Sequence, residues 1–193
     1  MTADRSLTRL HAREMAASLR AGEVSSVELL EAHLASIAAT DTAIHAWLAV
    51  DDGPARSAAE AADERLADAR AKGSEALATL PSLLGVPVGL KDLVLARGRQ
   101  ATAGSRILEG FSSPYDAHIV ERLDAAGAVI VGKTNMDEFA MGSSTEHSGY
   151  GPTAAAQDLE CAGEALLGDG LGASPDAVGD VPHQCRLVVG TEH

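Results

Sequence analysis

The sequence predicts an α/β protein in which N-terminal helices pack on part of a mixed sheet. Three observations support this fold class. Capped helical stretches fill most of the first 72 residues, two short apolar runs follow at residues 85–90 and 128–131, and a helical stretch at 116–126 separates those runs. A strand, a crossover helix and a second strand, both strands continuously apolar, are typical of a parallel sheet that is covered on both faces.

Three helices are predicted ahead of the first strand. The first covers residues 7–20 and ends at Gly22, because glycine tolerates the left-handed backbone of a helix C-terminus. The second covers residues 26–39, where Ser25 begins a Ser-Ser-Val-Glu capping box and apolar residues follow at spacings of three and four. The third is alanine-rich and covers residues 55–72.

Two more helices are predicted, one before and one after the second strand. Asp116 is expected to cap the crossover helix, and Gly127 is expected to end it. Thr134 follows the second strand and is expected to cap a helix over residues 135–140.

Composition divides the chain at residue 153. Residues 1–153 are expected to form part of one domain, whereas residues 154–193 contain seven acidic residues, one arginine and six glycines. A short helix at 162–167 and a short strand at 186–189 are the elements predicted there. A segment with this composition and no sustained period is expected to be poorly ordered.

Charge and cysteine content exclude several classes of function. Asp and Glu number 28 against 15 Lys and Arg, so the net charge of −13 opposes direct binding to nucleic acid. Cys161 and Cys185 have neither the spacing nor the neighbours of a metal site or a disulfide framework. The charged N-terminus is unlike a signal peptide, and residues 76–90, the longest uncharged stretch, contain Pro and Gly breaks. We therefore expect a soluble, cytoplasmic chain.

Lys91 is the first candidate for chemistry. It is one of three lysines and directly follows the apolar run at 85–90. Desolvation at the end of a buried strand disfavours the charged form of a lysine, which makes Lys91 a candidate base. The alternative is a lysine that reaches solvent or pairs with Asp92, and spacing alone favours this alternative.

The second candidate is the loop formed by Met141, Gly142, Ser143 and Ser144. Its small and hydroxyl-bearing residues could present backbone N–H groups to a carboxylate or carbonyl. The alternative is a helix C-terminus capped by Gly142 and followed by a turn, which composition alone favours. His147 lies nearby without an acidic partner at a telling position, so no Ser-His-Asp arrangement is predicted.

A longer pattern carries a resemblance to a known family. Leu-Gly-Val-Pro-Val-Gly-Leu-Lys-Asp at 84–92 and the block from 126 to 146, together with segments at 113–117 and 120–123, resemble the amidase signature family. Residues 132–146 and Gly-Pro-Thr at 151–153 are most similar to the A subunits of the tRNA-dependent amidotransferases. The resemblance covers about residues 5–153 and implies the amidase signature fold.

The resemblance implies a glutaminase. Such subunits use a Ser–cis-Ser–Lys triad, and Lys91 of this chain matches the family lysine. A segment that lines the family's substrate cleft matches Met141, Gly142, Ser143 and Ser144. The ammonia released from glutamine converts Glu-tRNA(Gln) or Asp-tRNA(Asn) on a partner subunit. The implied partners are subunits B and C. The resemblance implies that the partner subunit contacts the tRNA and uses ATP and Mg, and it implies no cofactor for this chain.

The sequence departs from the family after Thr153. There the family has a serine–glycine run with the bridging serine, then the nucleophilic serine, whereas residues 154–193 contain only Ser174, which matches neither. The departure leaves open an inactive truncated or frame-shifted form, a non-enzymatic protein that docks the partner subunits, or an amidase with a replaced nucleophile such as Cys161. Because later segments complete the family's sheet, an exposed sheet edge is also expected.

Overall fold

The computed structural model describes residues 7–154 and 188–189. Its regular elements are helices α1 (Ala12–Ala21), α2 (Ser26–Ile44), α3 (Asp52–Lys72), α4 (Ser74–Ala78) and α5 (His118–Ala125), and strands β1 (Trp47–Val50), β2 (Pro87–Lys91), β3 (Val129–Thr134) and β4 (Val188–Val189). The fold is α/β, as predicted. Among the described helices, none combines the length and the apolar character needed to cross a membrane.

The four strands form one mixed sheet in the order β1-β3-β2-β4. Strand β3 pairs antiparallel with β1 and parallel with β2, with Val88 opposite Ile130 and Lys91 opposite Thr134. Because α5 lies between two parallel strands in the chain, it forms the crossover connection that the apolar runs predicted. The strand–helix–strand prediction is therefore confirmed.

Strand β4 extends the sheet beyond β2. Its two residues pair parallel with β2, with Gly89 opposite Val188 and Leu90 opposite Val189, which confirms two residues of the strand predicted at 186–189. Strand β2 therefore has a neighbour on each side, and among the described strands the sheet ends at β1 and β4. The short helix predicted at 162–167 lies outside the described residues, as does most of the segment 154–193 for which poor order is predicted.

Helices cover both faces of the sheet. Side chains of consecutive strand residues point to opposite faces, so the continuously apolar strands present apolar side chains on both. On one face, Val129 and Val131 pack with α2 and α3. On the other face, Ile130 packs with Val88, Leu90 and residues of α5. A third apolar cluster joins α1, α2 and α3 to the segment that leads into β2.

Two helix boundaries differ from the prediction. Instead of one helix over 7–20, a 3-10 turn over Leu7–Arg9 is followed by α1, whose start is fixed by a bond from the N–H of His11 to Glu14 Oε2 at 2.6 Å. The Ser25 cap of α2 is confirmed, since the N–H of Glu28 donates to Ser25 Oγ at 3.1 Å. Helix α2 nevertheless continues past residue 39 to Ile44, which is buried in the core.

Two predicted helix caps are wrong because other partners occupy their side chains or backbone. Helix α5 starts at His118, and the Asp116 carboxylate instead accepts the backbone N–H of Arg97 at 2.6 Å. Thr134 does not cap a helix, because it is the last residue of β3. Residues 135–140 contain only the 3-10 turn Glu138–Ala140.

His33 is a buried polar side chain inside the helical layer. Only 4% of its surface is exposed. Its Nδ1 lies 2.7 Å from the carbonyl oxygen of Leu29, and its Nε2 has no hydrogen-bond partner among the described residues. Burial lowers the pKa of His33, and the hydrogen bond to Leu29 opposes this effect only in part.

We therefore expect His33 to weaken the fold in acid. Below about pH 6.5 the unfolded chain binds a proton at His33 while the folded chain does not, until the lowered folded-state pKa is reached. The free energy of unfolding should fall across this window by at most about 1.4 kcal/mol per pH unit, and His33→Leu should remove this contribution. Urea unfolding at about pH 7.5 and about pH 5.5 measures it. A pH dependence in His33→Leu equal to that of the parent would contradict the account.

Candidate active site

Lys91 is the last residue of β2 and is partly buried. Its backbone lies beside Thr134 in the parallel register, and its carbonyl oxygen accepts the N–H of Val94 at 2.8 Å. The sheet is tightly packed around this strand end, since a Cβ on Gly89 would lie 2.7 Å from the Trp47 ring. Lys91 therefore projects from a rigid backbone, and its catalytic role stays a prediction.

A second lysine, which the sequence analysis did not single out, is buried next to this strand end. Lys133 of β3 has no exposed surface and lies opposite Leu90 in the sheet. Its Nζ donates to the carbonyl oxygens of Val94 at 2.7 Å, Gln100 at 3.0 Å and Asp92 at 3.2 Å. Because a neutral amine has only two N–H groups, three acceptors require the charged ammonium form.

The carboxylate of Asp92 balances this buried charge. It has no exposed surface, and its Oδ1 lies 3.4 Å from Lys133 Nζ. Its Oδ2 accepts the backbone N–H of Thr102 at 2.8 Å and the Thr102 hydroxyl. Burial lowers the pKa of Lys133, and the attraction of Asp92 opposes this effect. Asp92 thus forms an ion pair with Lys133.

The predicted substrate loop is organised around another buried carboxylate. Asp137 accepts the backbone N–H groups of Ser144 at 3.1 Å and Thr145 at 2.9 Å on Oδ2, and that of His147 at 2.8 Å on Oδ1. Burial opposes ionisation of Asp137, but these three donors outweigh it and hold the pKa of Asp137 below its ordinary value. The backbone donor at 144, and the one at 145 directly after the loop, therefore already bind an internal carboxylate.

The other members of the loop face solvent. Met141 is 75% exposed, and Gly142 and Ser143 are also exposed. Ser144 is partly buried, and its hydroxyl donates to Glu146 at 2.9 Å. Exposed side chains beside a fixed carboxylate fit a surface that contacts a ligand, but the substrate-binding role of these four residues stays a prediction.

Strained backbone lies on both sides of this loop. Phe139, Ala140 and Thr145 have positive φ angles between 54° and 59°, and the other described non-glycine residues with positive φ are Ala103 and His45. Such angles are unfavourable for residues other than glycine, above all for a large side chain such as Phe139. Clustered strain of this kind is found at active sites, ligand clamps and switch regions, and so supports a functional role for the loop.

A third segment, residues 101–105, connects the two groups of candidate residues. Thr102 binds Asp92, the neighbour of Lys91. The carbonyl oxygen of the next residue, Ala103, accepts the N–H of Phe139 at 2.8 Å, two residues before Met141. The structure therefore joins the strand end and the loop through one short stretch of chain.

Sequence reasoning missed both organising side chains for a physical reason. Lys133 and Asp137 have partners that are distant along the chain or that belong to the backbone, and no spacing rule identifies such partners. One signal was present, because Lys133 lies within an apolar strand where an unpaired charge would be strongly unfavourable. The alternative nucleophile Cys161 lies outside the described residues. Within residues 7–154, no three His, Cys, Asp or Glu side chains lie close enough together to hold a metal ion.

A mixed sheet with a lysine at a strand end, connected to a glycine- and serine-containing loop, is the architecture expected of an α/β amidase. The family model described as Amidase matches residues 28–162. The A subunit of the glutamyl-tRNA(Gln) amidotransferase from Acidothermus cellulolyticus is 47% identical over 186 residues, 96% of this chain. The chain therefore belongs to the Amidase family, as the sequence predicted.

Two further similarities agree with this assignment. The corresponding protein of Anaeromyxobacter dehalogenans is 54% identical over 151 residues, which cover 78% of this chain and 29% of that protein. The peptide amidase from Stenotrophomonas maltophilia has a similar structure, with a TM-score of 0.63 and 33% identity over 75% of this chain and 29% of its own. The chain spans about a third of the curated relatives it matches, 34% for the Acidothermus protein.

The contact between Gly142 and Asp137 yields a prediction about the loop. A Cβ at residue 142 would lie 2.5 Å from Asp137 Oδ2, and three backbone N–H groups hold that carboxylate in place. We expect Gly142→Ala to destabilise the loop by about 1–3 kcal/mol. Faster hydrogen exchange at the amides of residues 144, 145 and 147 measures the effect.

Gly53 provides the matched control, because a Cβ there would meet no atom within 4 Å. Gly53 lies in the first turn of α3. Gly53→Ala should leave loop exchange unchanged and stabilise the helix by a few tenths of a kcal/mol up to about 1 kcal/mol. Unchanged loop exchange in Gly142→Ala would show that Asp137 does not organise this segment.

Proposed function

We propose that this chain carries the lysine-bearing part of a glutamine-hydrolysing subunit of a tRNA-dependent amidotransferase. The proposal is supported by its similarity to relatives named as the A subunit of glutamyl-tRNA(Gln) amidotransferase. The observation that carries it is the position of Lys91 at the end of β2, connected through residues 101–105 to the loop at 141–144. An amine and a substrate loop on one rigid frame are the parts that such a site requires.

In the proposed reaction, Lys91 accepts a proton from a bridging serine. That serine takes the proton of a nucleophilic serine, which attacks the side-chain amide of glutamine. The amide nitrogen takes the proton back as the carbon–nitrogen bond breaks and leaves as ammonia, and water then hydrolyses the acyl-serine to release glutamate. An adjacent base is needed because a serine hydroxyl is a weak nucleophile at neutral pH. Neither serine is assigned to a residue here, since Ser174 is the only serine in residues 154–193. We therefore propose that this chain alone does not turn over glutamine.

The loop at 141–144 would bind the glutamine. Asp137 already uses the backbone donors at 144 and 145, so the exposed Met141, Gly142 and Ser143 remain as the proposed contacts. The Ser144 hydroxyl donates to Glu146 and is proposed as a contact through its acceptor lone pairs. A loop with a fixed backbone binds a small substrate with less loss of conformational entropy than a mobile loop does.

The proposed partners are amidotransferase subunits B and C. Ammonia would pass to the partner subunit that uses ATP and Mg to convert Glu-tRNA(Gln) or Asp-tRNA(Asn), and this chain itself would need no cofactor. The net charge of −13 supports contact with tRNA through the partner rather than through this chain.

A footprinting experiment tests the glutamine site without requiring turnover. The purified chain, bound to subunits B and C, is treated with an amine-acylating reagent, and acylation of Lys91 and Lys72 is followed by mass spectrometry. Lys72 is the internal reference because its side chain is exposed, whereas Lys133 is fully buried. Glutamine at about ten times its dissociation constant should slow acylation of Lys91 about tenfold and leave Lys72 unchanged.

The outcomes distinguish a glutamine-binding subunit, a non-enzymatic docking protein and an amidase with a replaced nucleophile. Protection by glutamine but not by D-glutamine supports the proposed site. Association with subunits B and C without protection would replace it with the non-enzymatic docking protein. Ammonia release that is lost in Cys161→Ala would show that a cysteine has replaced the nucleophile.

A further inference from the structure

The buried pair of Lys133 and Asp92 has no part in the proposed reaction. Both side chains have no exposed surface. The three carbonyl groups that Lys133 binds belong to residues 92, 94 and 100, all in the segment that follows Lys91. A buried charge is costly unless it is paired and hydrogen-bonded, so the position of this ammonium group and the path of that segment depend on each other.

One side of the pair fixes the backbone of Lys91. The carbonyl oxygen of Lys91 accepts a hydrogen bond from the N–H of Val94, and the carbonyl oxygen of Val94 accepts one from Lys133 Nζ. The N–H of Asp92 donates to the carbonyl oxygen of Thr134 at 3.1 Å. The residues that follow Lys91 are therefore held both by the sheet and by the ammonium group.

The other side of the pair fixes the base of the loop. Asp92 holds Thr102 through two hydrogen bonds, and Ala103 holds Phe139 through one. Residues 102–104 approach residues 136–139 so closely that a Cβ on Gly104 would lie 2.5 Å from the carbonyl oxygen of Met136. A shift of Asp92 would therefore be transmitted to the start of the loop.

We propose that Lys133 and Asp92 are positioning residues for the candidate site, which hold Lys91 and the loop at 141–144 at a fixed separation. The inference rests on the proposed function, because only a glutamine site would need that separation to be fixed. Whether the pair fixes the separation can be tested without glutamine. A pair that only stabilises the fold would affect the free energy of unfolding and leave the native placement of both groups unchanged.

The full chain provides its own reporters for this test. It contains three lysines and four methionines, so selective ¹³C labelling of the lysine ε-carbons and methionine methyl groups gives few NMR signals. Lys91 reports on the strand end, and the buried Met136 reports on the base of the loop. Met15, in the helical cluster, reports on a region away from the pair.

The main variant is the double substitution Asp92→Asn with Lys133→Met, which removes both charges and keeps side chains of similar length. We expect the Lys91 signal to move at least halfway to the position of the exposed Lys72, and the Met136 signal to shift, while Met15 stays in place. The control Leu29→Ala creates a cavity in the helical cluster and should shift Met15 alone.

A milder variant keeps the test decisive if the double variant does not fold. Thr102→Val retains both charges and removes only the hydroxyl bond to Asp92, so we expect it to shift Met136 and Lys91 in the same directions by smaller amounts. If the double variant folds and its Lys91 and Met136 signals stay at the positions seen in the parent chain, the inference is overturned. If the double variant does not fold, unchanged Lys91 and Met136 signals in Thr102→Val overturn it. Shifted signals in a chain that glutamine does not protect would instead uphold the positioning role and refute the proposed function.

Discussion

The ion pair between Lys133 and Asp92 holds three stretches of chain against one another. The ammonium group of Lys133 binds three carbonyl groups of residues 92–100, and the Asp92 carboxylate binds Thr102. Removing one member of a buried pair typically costs about 3–5 kcal/mol, because the other charge is left without a partner. The path of the chain between β2 and α5 is therefore coupled to this one interaction.

Two carboxylates divide the organisation of the candidate site. Asp92 lies at the end of β2 and pairs with a buried cation, whereas Asp137 has backbone N–H groups as partners and shapes the loop. Both are buried, and both are bound by groups of the chain itself, although Asp92 Oδ1 has no hydrogen-bond partner among the described residues and lies 3.4 Å from Lys133 Nζ. The exposed residues 141–143 therefore belong to a loop whose backbone is held by the buried Asp137 carboxylate.

Much of the fold could be predicted from the sequence because its signals are local. The capping box at Ser25 depends on residues three apart, and the apolar runs that become β2 and β3 are continuous in the chain. The expected helix caps at Asp116 and Thr134 are wrong because both residues bind other segments. The Asp116 carboxylate accepts the N–H of Arg97, and Thr134 pairs with Lys91 of β2 in the sheet. Local pattern does not reveal which of two possible partners a polar group will take.

The candidate site could be predicted only in part for the same reason. Lys91 and the loop at 141–144 were identified through motifs that are contiguous in sequence. The contacts that connect them involve residues 102 and 103, which lie in a segment without a motif, and Lys133, whose carbonyl partners lie 33 to 41 residues away along the chain. Family membership fixes the general fold, while these longer-range contacts explain how this chain holds its candidate residues in place.

The protonation state of Lys133 tests the central claim most directly. In ¹⁵N-lysine-labelled protein at neutral pH, the claim predicts an ammonium signal with three protons that exchange slowly with water, and that disappears in Lys133→Met. A neutral-amine signal for Lys133 at neutral pH, or rapid exchange equal to that of Lys72, would contradict the claim, because three carbonyl acceptors can be satisfied only by a fixed ammonium group.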